Sequence, residues 1–389
     1  LYVTLFDCCC TTTFIVEYPF QCFSLNPREH DPEDIAFLQY TSGSTSSPRG
    51  VVVSHRALEA NVNWVVNDYL GDTTDLVSVT WVPFFHDYGL TAILNCHAVG
   101  GTFHYISPMR FMKDPLHWLR MMTLVKSTHT QAPNFAFGLC ARHARLFPHK
   151  ASGIDLSSVR QFSMGGEMIR ESTMRAFRDA FSVQDHQMDP SYGMAEMVCG
   201  IVHCQGSERK KSSMHGVVNV GKIGPNVEVK IMEDGEVWVR GDAMMSGYYL
   251  RPDDEAFGNA DGKRWVMTGD LGFVHEGCLY IKGRKKDVII LNGRNIVSTD
   301  VEWVLQENFP ELRPGNIAAV PFYENEEEKL GIVAELRDHL VAPSRKAMRR
   351  AMYEAMEVPL HRILFVKKRT LPKTSSGKLQ RYKCREYFE

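Results

Sequence analysis

The chain has 389 residues, of which 44% are hydrophobic and 23% are charged, the composition of an ordinary globular protein with a large core. Its 44 Lys and Arg residues nearly balance its 46 Asp and Glu residues, so we expect no nucleic-acid partner. No run approaches the roughly 20 apolar residues that a membrane helix requires, so no membrane span is expected either.

Residues 1–30 show neither strand nor helix periodicity, so no element is predicted there. The apolar stretch 1–23 has no basic n-region and no clear small-residue cleavage site, which makes it a poor signal peptide. We therefore leave residues 1–30 unassigned and expect a non-native or disordered segment.

A loop rich in small residues lies in YTSGSTSSPRGVVVSH, residues 40–55. A buried strand is predicted at 35–40, before the loop, and an apolar run at 51–55 and a helix at 58–69 follow it. Gly43 and Gly50 permit positive φ, and Arg49 adds a planar positive charge. Hydroxyl and backbone N–H groups for an anion-binding concavity come from Thr41, Ser42, Ser44, Thr45, Ser46 and Ser47. The Walker A pattern is absent, so the loop does not indicate a P-loop NTPase. The residues alone leave two interpretations, a phosphate-binding loop or a flexible surface loop.

Between residues 31 and 181, β-type apolar runs alternate with helical stretches. The predicted strands are 76–82, 102–106, 127–132 and 159–164, and the predicted helices are 116–124, 134–145 and 169–180. Such alternation predicts an α/β layer structure with a mostly parallel sheet.

From residue 216 to 280 the apolar runs shorten, and EVKIMEDGEVWVRG predicts a hairpin that turns at Asp234-Gly235. A helix is predicted at 298–308 with Ser298 as its capping residue, strands at 317–320 and 331–335, and a helix at 343–356. The predicted fold is α/β: a large N-terminal domain, 31–286, with mostly parallel sheets and a β-rich subdomain, then a small α+β domain, 287–389.

The 10 Cys residues are scattered, a pattern typical of reduced thiols and of a cytoplasmic protein. Cys199, His203 and Cys204 lie close in sequence and invite a zinc interpretation. An adjacent His-Cys pair without a second C-x-x-C favours a structural or incidental role, so no zinc site is predicted.

Five further motifs follow the loop. They are SMGGE (163–167), PSYGMAE (190–196), TGDLG (268–272), GRKKD (283–287) and LPKTSSGKLQR (371–381). In this order they resemble the adenylate-forming superfamily of acyl-CoA synthetases, fatty acyl-AMP ligases and nonribosomal-peptide adenylation domains. The resemblance implies attack of a carboxylate on the α-phosphate of ATP, and it favours the phosphate-binding loop over the flexible loop.

The resemblance also implies residue roles. The phosphate-binding residues would be Thr41, Ser42, Gly43, Ser44, Thr45 and Arg49, which stands where many relatives carry Lys. Glu196 would be a catalytic residue that binds Mg²⁺, together with Thr45. The adenine site would comprise Gly165, Gly166, Glu167, Tyr192, Gly193 and Ala195. Asp270 would accept hydrogen bonds from the ribose with Arg284 beside it, although Asp270 also suits a turn.

Lys378 resembles the catalytic lysine of the family's terminal domain, a mobile ammonium that stabilises the transition state. Asp287 matches the hinge about which that domain swings. The alternative for Lys378 is an ordinary exposed side chain.

Other segments look most like fatty acyl-AMP ligases. In PFFHDYGL, His86 and Asp87 would flank the acyl carboxylate, with His86 catalytic or simply a core histidine, and an apolar tunnel would be bordered by Phe84, Phe85, Asn134 and Phe135. The implied activity converts a fatty acid and ATP to acyl-AMP and pyrophosphate, then transfers the acyl group to a carrier-protein thiol.

Two departures from the family keep alternatives open. The segment 197–220 is short where fatty acyl-AMP ligases usually carry an insertion, so acyl-CoA synthetase activity with CoA as acceptor is the alternative. Only about 30 residues precede the phosphate-loop strand, so we expect an N-terminally truncated chain with an incomplete large domain. A degenerate homologue that binds nucleotide or lipid without catalysis is the alternative of another class.

Overall fold

The computed structural model divides the chain into two units. The first comprises Leu1–Thr41, Arg49–Thr268 and Gly272–Ile281, and the second comprises Ser42–Pro48, Gly269–Leu271 and Lys282–Glu389. The residues that the structure describes are 3–6, 14–15, 31–41, 48–70, 75–204, 213–214, 216–224, 226–252, 256–291, 294–324, 327–337, 341–373 and 379–388. The domain boundary at residues 286 and 287 stays a prediction.

The first unit contains an eight-stranded sheet. In spatial order its strands, numbered along the chain, are β10 (Gly200–His203), β9 (Met188–Gly193), β8 (Gln161–Met164), β7 (His129–Ala132), β5 (Val77–Thr80), β6 (Thr102–Ile106), β1 (Val3–Phe6) and β2 (Phe14–Ile15). Only the two outermost of these pairs run antiparallel. The predicted mostly parallel sheet is confirmed. Residues 1–30 were left unassigned, but β1 and β2 lie there. They are short strands at one end of the sheet, with β2 at its edge, and are held by backbone pairing, which periodicity does not reveal.

Each of the four central strands, β5, β6, β7 and β8, is followed by one or two of this unit's α-helices, as parallel strands require. They are α1 (His55–Trp64), continued by a π-helical turn at Val65–Leu70, then α2 (Asp87–Ala98), α3 (Pro108–Lys113), α4 (Leu116–Val125), α5 (Asn134–Leu146), α6 (Pro148–Ala151) and α7 (Glu171–Phe181). Helices α4, α5 and α7 lie within two residues of their predicted bounds.

Aromatic side chains fill the space between the sheet and these helices. Phe137 on α5 packs edge-on against Trp118, Phe162 and Phe177, with ring centroids 5.5, 6.4 and 5.0 Å away. All four side chains are completely buried. Because Phe162 lies on β8, this packing holds α5 and α7 against that strand, which ends just before the predicted site residues Gly165 and Gly166.

A separate three-stranded sheet carries the loop at 42–47. Its strands are β3 (Ile35–Thr41), β4 (Arg49–Ser54) and β15 (Gly247–Tyr248), with β4 in the centre. The predicted strand is confirmed, but its burial was wrong, because Ile35 and Tyr40 are 51% and 58% exposed. The reason is that β3 is the edge strand of a small sheet, with β4 as its neighbour, whereas β4 is flanked on both sides.

A β-rich sheet accounts for the shorter runs. Its strands are β11 (Ser213–Met214), β12 (Val217–Lys222), β18 (Cys278–Arg284), β17 (Lys263–His275), β14 (Glu236–Gly241) and β13 (Val227–Ile231) in spatial order, with β16 (Phe257–Ala260) paired to β17. The predicted hairpin is β13–β14. At its turn, Gly235 adopts a φ of 85° and Asp234 Oδ1 accepts a hydrogen bond from Glu236 N at 3.0 Å.

The second unit contains a three-stranded sheet, a hairpin and helices. The sheet has β21 (Leu312–Glu324), β22 (Glu327–Leu336) and β23 (Arg362–Val366), the hairpin has β19 (Val288–Leu291) and β20 (Arg294–Val297), and the helices are α8 (Ser298–Asn308), α9 (Arg345–Met356) and α10 (Arg381–Cys384). Helix α8 has its predicted bounds, but Ser298 does not cap it. The Ser298 hydroxyl donates instead to the Asp287 carbonyl oxygen at 2.7 Å, and α8 has no side-chain cap.

In the part of the chain that the structure describes, no helix is long and apolar enough to cross a membrane. None of the six cysteines that the structure describes, Cys96, Cys140, Cys199, Cys204, Cys278 and Cys384, forms a disulfide.

Candidate active site

The hairpin β3–β4 presents the predicted phosphate loop. Thr41 and Arg49 face each other in the register at its loop end, and Thr41 Oγ1 donates to the Arg49 carbonyl at 3.5 Å. Gly50 does not adopt positive φ as predicted, because it lies within β4. Its lack of a side chain instead makes room for Tyr40, whose ring lies 3.3 Å from where a Cβ would stand. Ser42, Gly43, Ser44 and Thr45 lie outside the described residues.

Arg49, Tyr248 and Glu196 form a chain of contacts beside this hairpin. The Arg49 guanidinium carbon lies 5.1 Å from the Tyr248 ring centroid, and the Tyr248 hydroxyl donates to Glu196 Oε1 at 2.7 Å. Strand β15 places Tyr248 opposite Val51 of β4, and Met245 N donates to the Glu196 carbonyl at 2.9 Å. Burial raises the pKa of the Tyr248 phenol and the Glu196 carboxylate raises it further, so Tyr248 stays a hydrogen-bond donor at neutral pH.

The glycines predicted at the adenine site lie at the ends of β8 and β9, which are parallel neighbours. A Cβ on Gly165 would lie 2.9 Å from Ser191 Oγ, and Gly166 adopts a φ of 73°. A Cβ on Gly193 would lie 1.8 Å from the Cys199 carbonyl oxygen, so only glycine fits there. The structure therefore brings Gly165, Gly166 and Gly193 onto adjacent strand ends, with Tyr192 preceding Gly193 in β9.

A buried hydroxyl network supports that turn. The Tyr88 hydroxyl donates to Ser163 Oγ at 2.9 Å, and Ser191 Oγ donates to the Met164 carbonyl at 3.0 Å. Burial raises the pKa of the Tyr88 phenol, which keeps it protonated. Tyr88 and Ser191 were not singled out from the sequence, because their partners come from different strands.

Two predicted adenine-site residues also have structural contacts. Glu167 Oε1 accepts a hydrogen bond from Phe135 N, in the first turn of α5, at 2.6 Å. A carboxylate there satisfies a free N–H group and complements the helix dipole. Ala195 is 5% exposed and belongs to the hydrophobic core, so its side chain packs, and ligand contacts would fall to its backbone.

His86 precedes α2 and is oriented by its neighbour. His86 Nδ1 lies 2.9 Å from Asp87 Oδ1, which also accepts from Tyr88 N at 2.7 Å. The side chains of His86 and Asp87 are 25% and 18% exposed, so His86 is not a core histidine. Helix α2 can start here because Gly89 has no Cβ, which would lie 2.2 Å from the Pro83 carbonyl oxygen.

Aromatic residues surround this helix start. Phe84 stacks on Tyr105 with ring centroids 4.3 Å apart, and Phe135 packs edge-on against Trp81 at 5.7 Å. Phe85 is 62% exposed. Asn134 is buried, and its Oδ1 accepts from Arg170 N at 3.1 Å, so the amide orders the backbone before α7. The acyl tunnel stays a prediction.

In the second unit, Arg284 Nε donates to Asp270 Oδ1 at 2.7 Å, and the Asp270 side chain is only 6% exposed. The two residues predicted beside the ribose are thus in contact with each other, and their role at the ribose stays a prediction. Lys378 lies outside the described residues, so its role stays a prediction.

A Mg²⁺ site was predicted at Glu196 and Thr45. Within the described ranges, no group of three or more His, Cys, Asp or Glu side chains is placed to hold a metal ion. The donor set nevertheless suits Mg²⁺, which is bound in nucleotide sites by one or two carboxylates plus phosphate oxygens. The oriented Glu196 carboxylate can supply such an oxygen.

Comparisons with known proteins agree with this geometry. The family model for AMP-binding enzymes matches residues 13–249. The medium-chain-fatty-acid–[acyl-carrier-protein] ligase JamA of Moorena producens (strain JHB) is 31% identical over 92% of this chain and 68% of its own. The long-chain-fatty-acid–AMP ligase FadD32 of Mycolicibacterium smegmatis is 32% identical over 94% and 70%. A solved structure from a study of fatty acyl-adenylate ligases of E. coli and L. pneumophila superimposes with a TM-score of 0.80, at 29% identity, over 92% and 70%.

The fold and the matched residues define an adenylate-forming enzyme, and the chain belongs to the AMP-binding enzyme family. The predicted superfamily and the predicted class, an ATP-dependent ligase, are confirmed. The chain covers about two thirds of the length of these relatives, 68% and 70%.

Proposed function

We propose that the protein activates a fatty acid with ATP to form acyl-AMP and pyrophosphate, then transfers the acyl group to the phosphopantetheine thiol of a carrier protein. The observation that carries this proposal is the contact chain of Arg49, Tyr248 and Glu196 beside the loop end of the β3–β4 hairpin. A guanidinium and an oriented carboxylate there can together bind a polyphosphate and its cation. The substrate class, a fatty acid, is inferred from the relatives that are fatty-acid ligases.

The chemistry follows from charge. A carboxylate oxygen attacks the α-phosphorus, the bond to the β-phosphate oxygen breaks, and pyrophosphate leaves with that electron pair. The two reacting groups are both anions, so positive charge and N–H donors must offset their repulsion. Arg49 and the loop 41–50 would hold the β- and γ-phosphates, and Lys378 would stabilise the transferring α-phosphate. Mg²⁺, held by Glu196 and Thr45, would neutralise phosphate charge.

Other residues would orient the substrates. The Asp270–Arg284 pair would hold the ribose, and the strand ends at Gly165 and Gly193 would admit the flat adenine. His86, oriented by Asp87, would lie beside the fatty carboxylate. In the second step a thiolate attacks the acyl carbonyl and AMP leaves, after a swing about Asp287 that withdraws Lys378.

The alternative acceptor is CoA. It is favoured by the short connection between β10, which ends at His203, and β12, which begins at Val217. A catalytically inactive homologue would bind an acyl-adenylate analogue and form no product. A cytoplasmic location is part of the proposal and is based on the scattered cysteines.

Fatty-acid-dependent exchange of labelled pyrophosphate into ATP tests the first step. We expect exchange in the native chain, and Lys378→Ala should lower it about 100-fold or more, because a charge contact made in the transition state is lost. ATP binding should persist in this variant. The exposed Lys367→Ala is the matched control and should exchange normally. Undiminished exchange by Lys378→Ala would refute the role of this lysine.

A further inference from the structure

Three charged side chains of the second unit form a closed ionic cluster that we call the Arg381 cluster. Arg381, the first residue of α10, donates from Nη1 to Asp287 Oδ2 at 2.8 Å. It also donates from Nε and Nη2 to the two oxygens of Glu302, both at 2.7 Å. The side chains of Arg381, Asp287 and Glu302 are 19%, 15% and 13% exposed.

The guanidinium in this cluster is permanently charged. Burial disfavours its charge, but the Glu302 and Asp287 carboxylates outweigh that effect and raise the pKa of Arg381. A bidentate pair to one carboxylate plus a bond to a second uses the planar fork of arginine, which lysine cannot reproduce. Without Arg381, two mostly buried carboxylates would face each other uncompensated.

The cluster also joins four elements. Glu302 lies on α8, and its Oε1 accepts from Ala319 N of β21 at 3.0 Å. Asp287 ends the 3₁₀ turn Lys285–Asp287, and its carbonyl accepts from the Ser298 hydroxyl at 2.7 Å. The turn at Asp287, the start and middle of α8, β21 and α10 are therefore held by one network.

Arg381 follows the predicted catalytic lysine by three positions. The segment 374–378 lies outside the described residues, but both of its flanks are fixed. Lys373 and Leu379 form an isolated β-bridge, and Gln380 N donates to the Pro372 carbonyl at 2.9 Å. Lys373 Nζ also donates to the Gly315 carbonyl at 2.8 Å. The C-terminal flank leads directly into the Arg381 cluster.

We propose that Arg381 is a positioning residue for adenylation, whose guanidinium joins the turn at Asp287 to α10, which begins three positions after Lys378. A movement about Asp287 then moves α10 with it. The inference rests on the proposed function, in which Lys378 stabilises the transferring phosphate. Arg381 itself contacts no substrate in this account.

Exchange kinetics of Arg381 variants test the coupling. Arg381→Met should lower kcat about 100-fold with little change in the KM for ATP, because a displacement of about 1 Å at the reacting group is enough. Arg381→Lys, which keeps the charge and loses the fork, should be intermediate and remain folded. Arg385→Met, at an exposed residue four positions further along the chain, is the matched control and should have the kinetics of the native chain.

A double variant distinguishes positioning from a general structural role. If Arg381 acts through Lys378, adding Arg381→Met to Lys378→Ala should cause no further loss of exchange. Independent, multiplicative losses, or a normal kcat in both Arg381 variants of an active chain, would overturn the inference and leave the proposed function intact.

A measurement that needs no turnover tests the coupling even if the chain shows no exchange activity. Hydrogen exchange of the unliganded chain should show that Arg381→Lys accelerates amide exchange both at 285–287 and at 381–384, while Arg385→Met does not. Acceleration at 381–384 alone would overturn the coupling. A native chain without fatty-acid-dependent exchange would contradict the proposed function, and the amide result would then decide the coupling.

Discussion

At the residue scale, the Glu196 carboxylate is oriented by a phenol. Tyr248 donates to it at 2.7 Å, and the Arg49 guanidinium lies over the same ring. The motif around Glu196 identified the carboxylate, but Tyr248 lies 52 positions further along the chain in a short strand without a recognisable pattern. The pairing of β15 with β4 and the hydrogen bond from Met245 N to the Glu196 carbonyl hold this part of the chain beside Glu196, and no local sequence pattern encodes either contact.

Removing the Tyr248 hydroxyl should weaken the use of Mg²⁺. We expect Tyr248→Phe to raise the Mg²⁺ concentration that half-saturates pyrophosphate exchange about 10-fold, since groups that orient a metal ligand typically contribute this much. The measurement is a Mg²⁺ titration at saturating ATP and fatty acid. Tyr249→Phe, on the adjacent and 45% exposed tyrosine, is the control. An unchanged Mg²⁺ dependence in Tyr248→Phe would contradict an orienting role.

The glycine positions were predictable for different reasons. Gly193 and Gly165 were found through their motifs, and the structure supplies the physical cause, a neighbouring carbonyl or hydroxyl that excludes a Cβ. For Gly50 the suggested reason, positive φ in a turn, does not apply, because the residue lies in a strand. Space for the Tyr40 ring is a tertiary property.

At the scale of elements, strong local periodicity was sufficient. Strand β6 and helix α8 have their predicted bounds. Strands β1 and β2 were not predicted, because pairing with neighbouring strands at one end of the sheet, not a periodic pattern, defines them. The burial of β3 was wrong for a related reason, since burial depends on which strands lie beside it.

Strand β7 gives the sheet a dependence on pH. His129 is 9% exposed, and burial, aided by Arg160, lowers its pKa to about 4. Between about pH 4 and the ordinary histidine value near 6.5, the unfolded chain binds the proton that the folded chain excludes, so stability falls as pH falls. The effect is fully absent above that range.

We expect His129→Asn to lose part of this dependence. Between pH 6.5 and pH 5, its free energy of unfolding should fall by about 1–2 kcal/mol less than that of the native chain. This follows because one proton bound by only one of the two states changes that free energy by about 1.4 kcal/mol per pH unit. Urea unfolding at both pH values measures the difference. His186→Asn, an exposed histidine, should behave as the native chain does. Equal pH dependence in His129→Asn and the native chain would exclude His129 as the cause.

At the scale of the whole molecule, the motifs predicted the family because they carry chemistry that any adenylate-forming site needs. They could not predict which contacts hold the site together, since these join residues far apart in sequence. The predicted residues divide between the two units, with Arg49, Glu196 and His86 in the first and Asp270, Arg284 and Lys378 in the second. Catalysis as proposed requires contributions from both.

Direct detection of the intermediate tests the central claim. The chain is incubated with a fatty acid, ATP and Mg²⁺, the products are identified by mass spectrometry, and either a phosphopantetheinylated carrier protein or CoA is then added. The account predicts acyl-AMP and pyrophosphate in equal amounts, no product with Glu196→Gln, and faster loss of acyl-AMP to the carrier protein than to CoA. Formation of ADP and phosphate without acyl-AMP would contradict it.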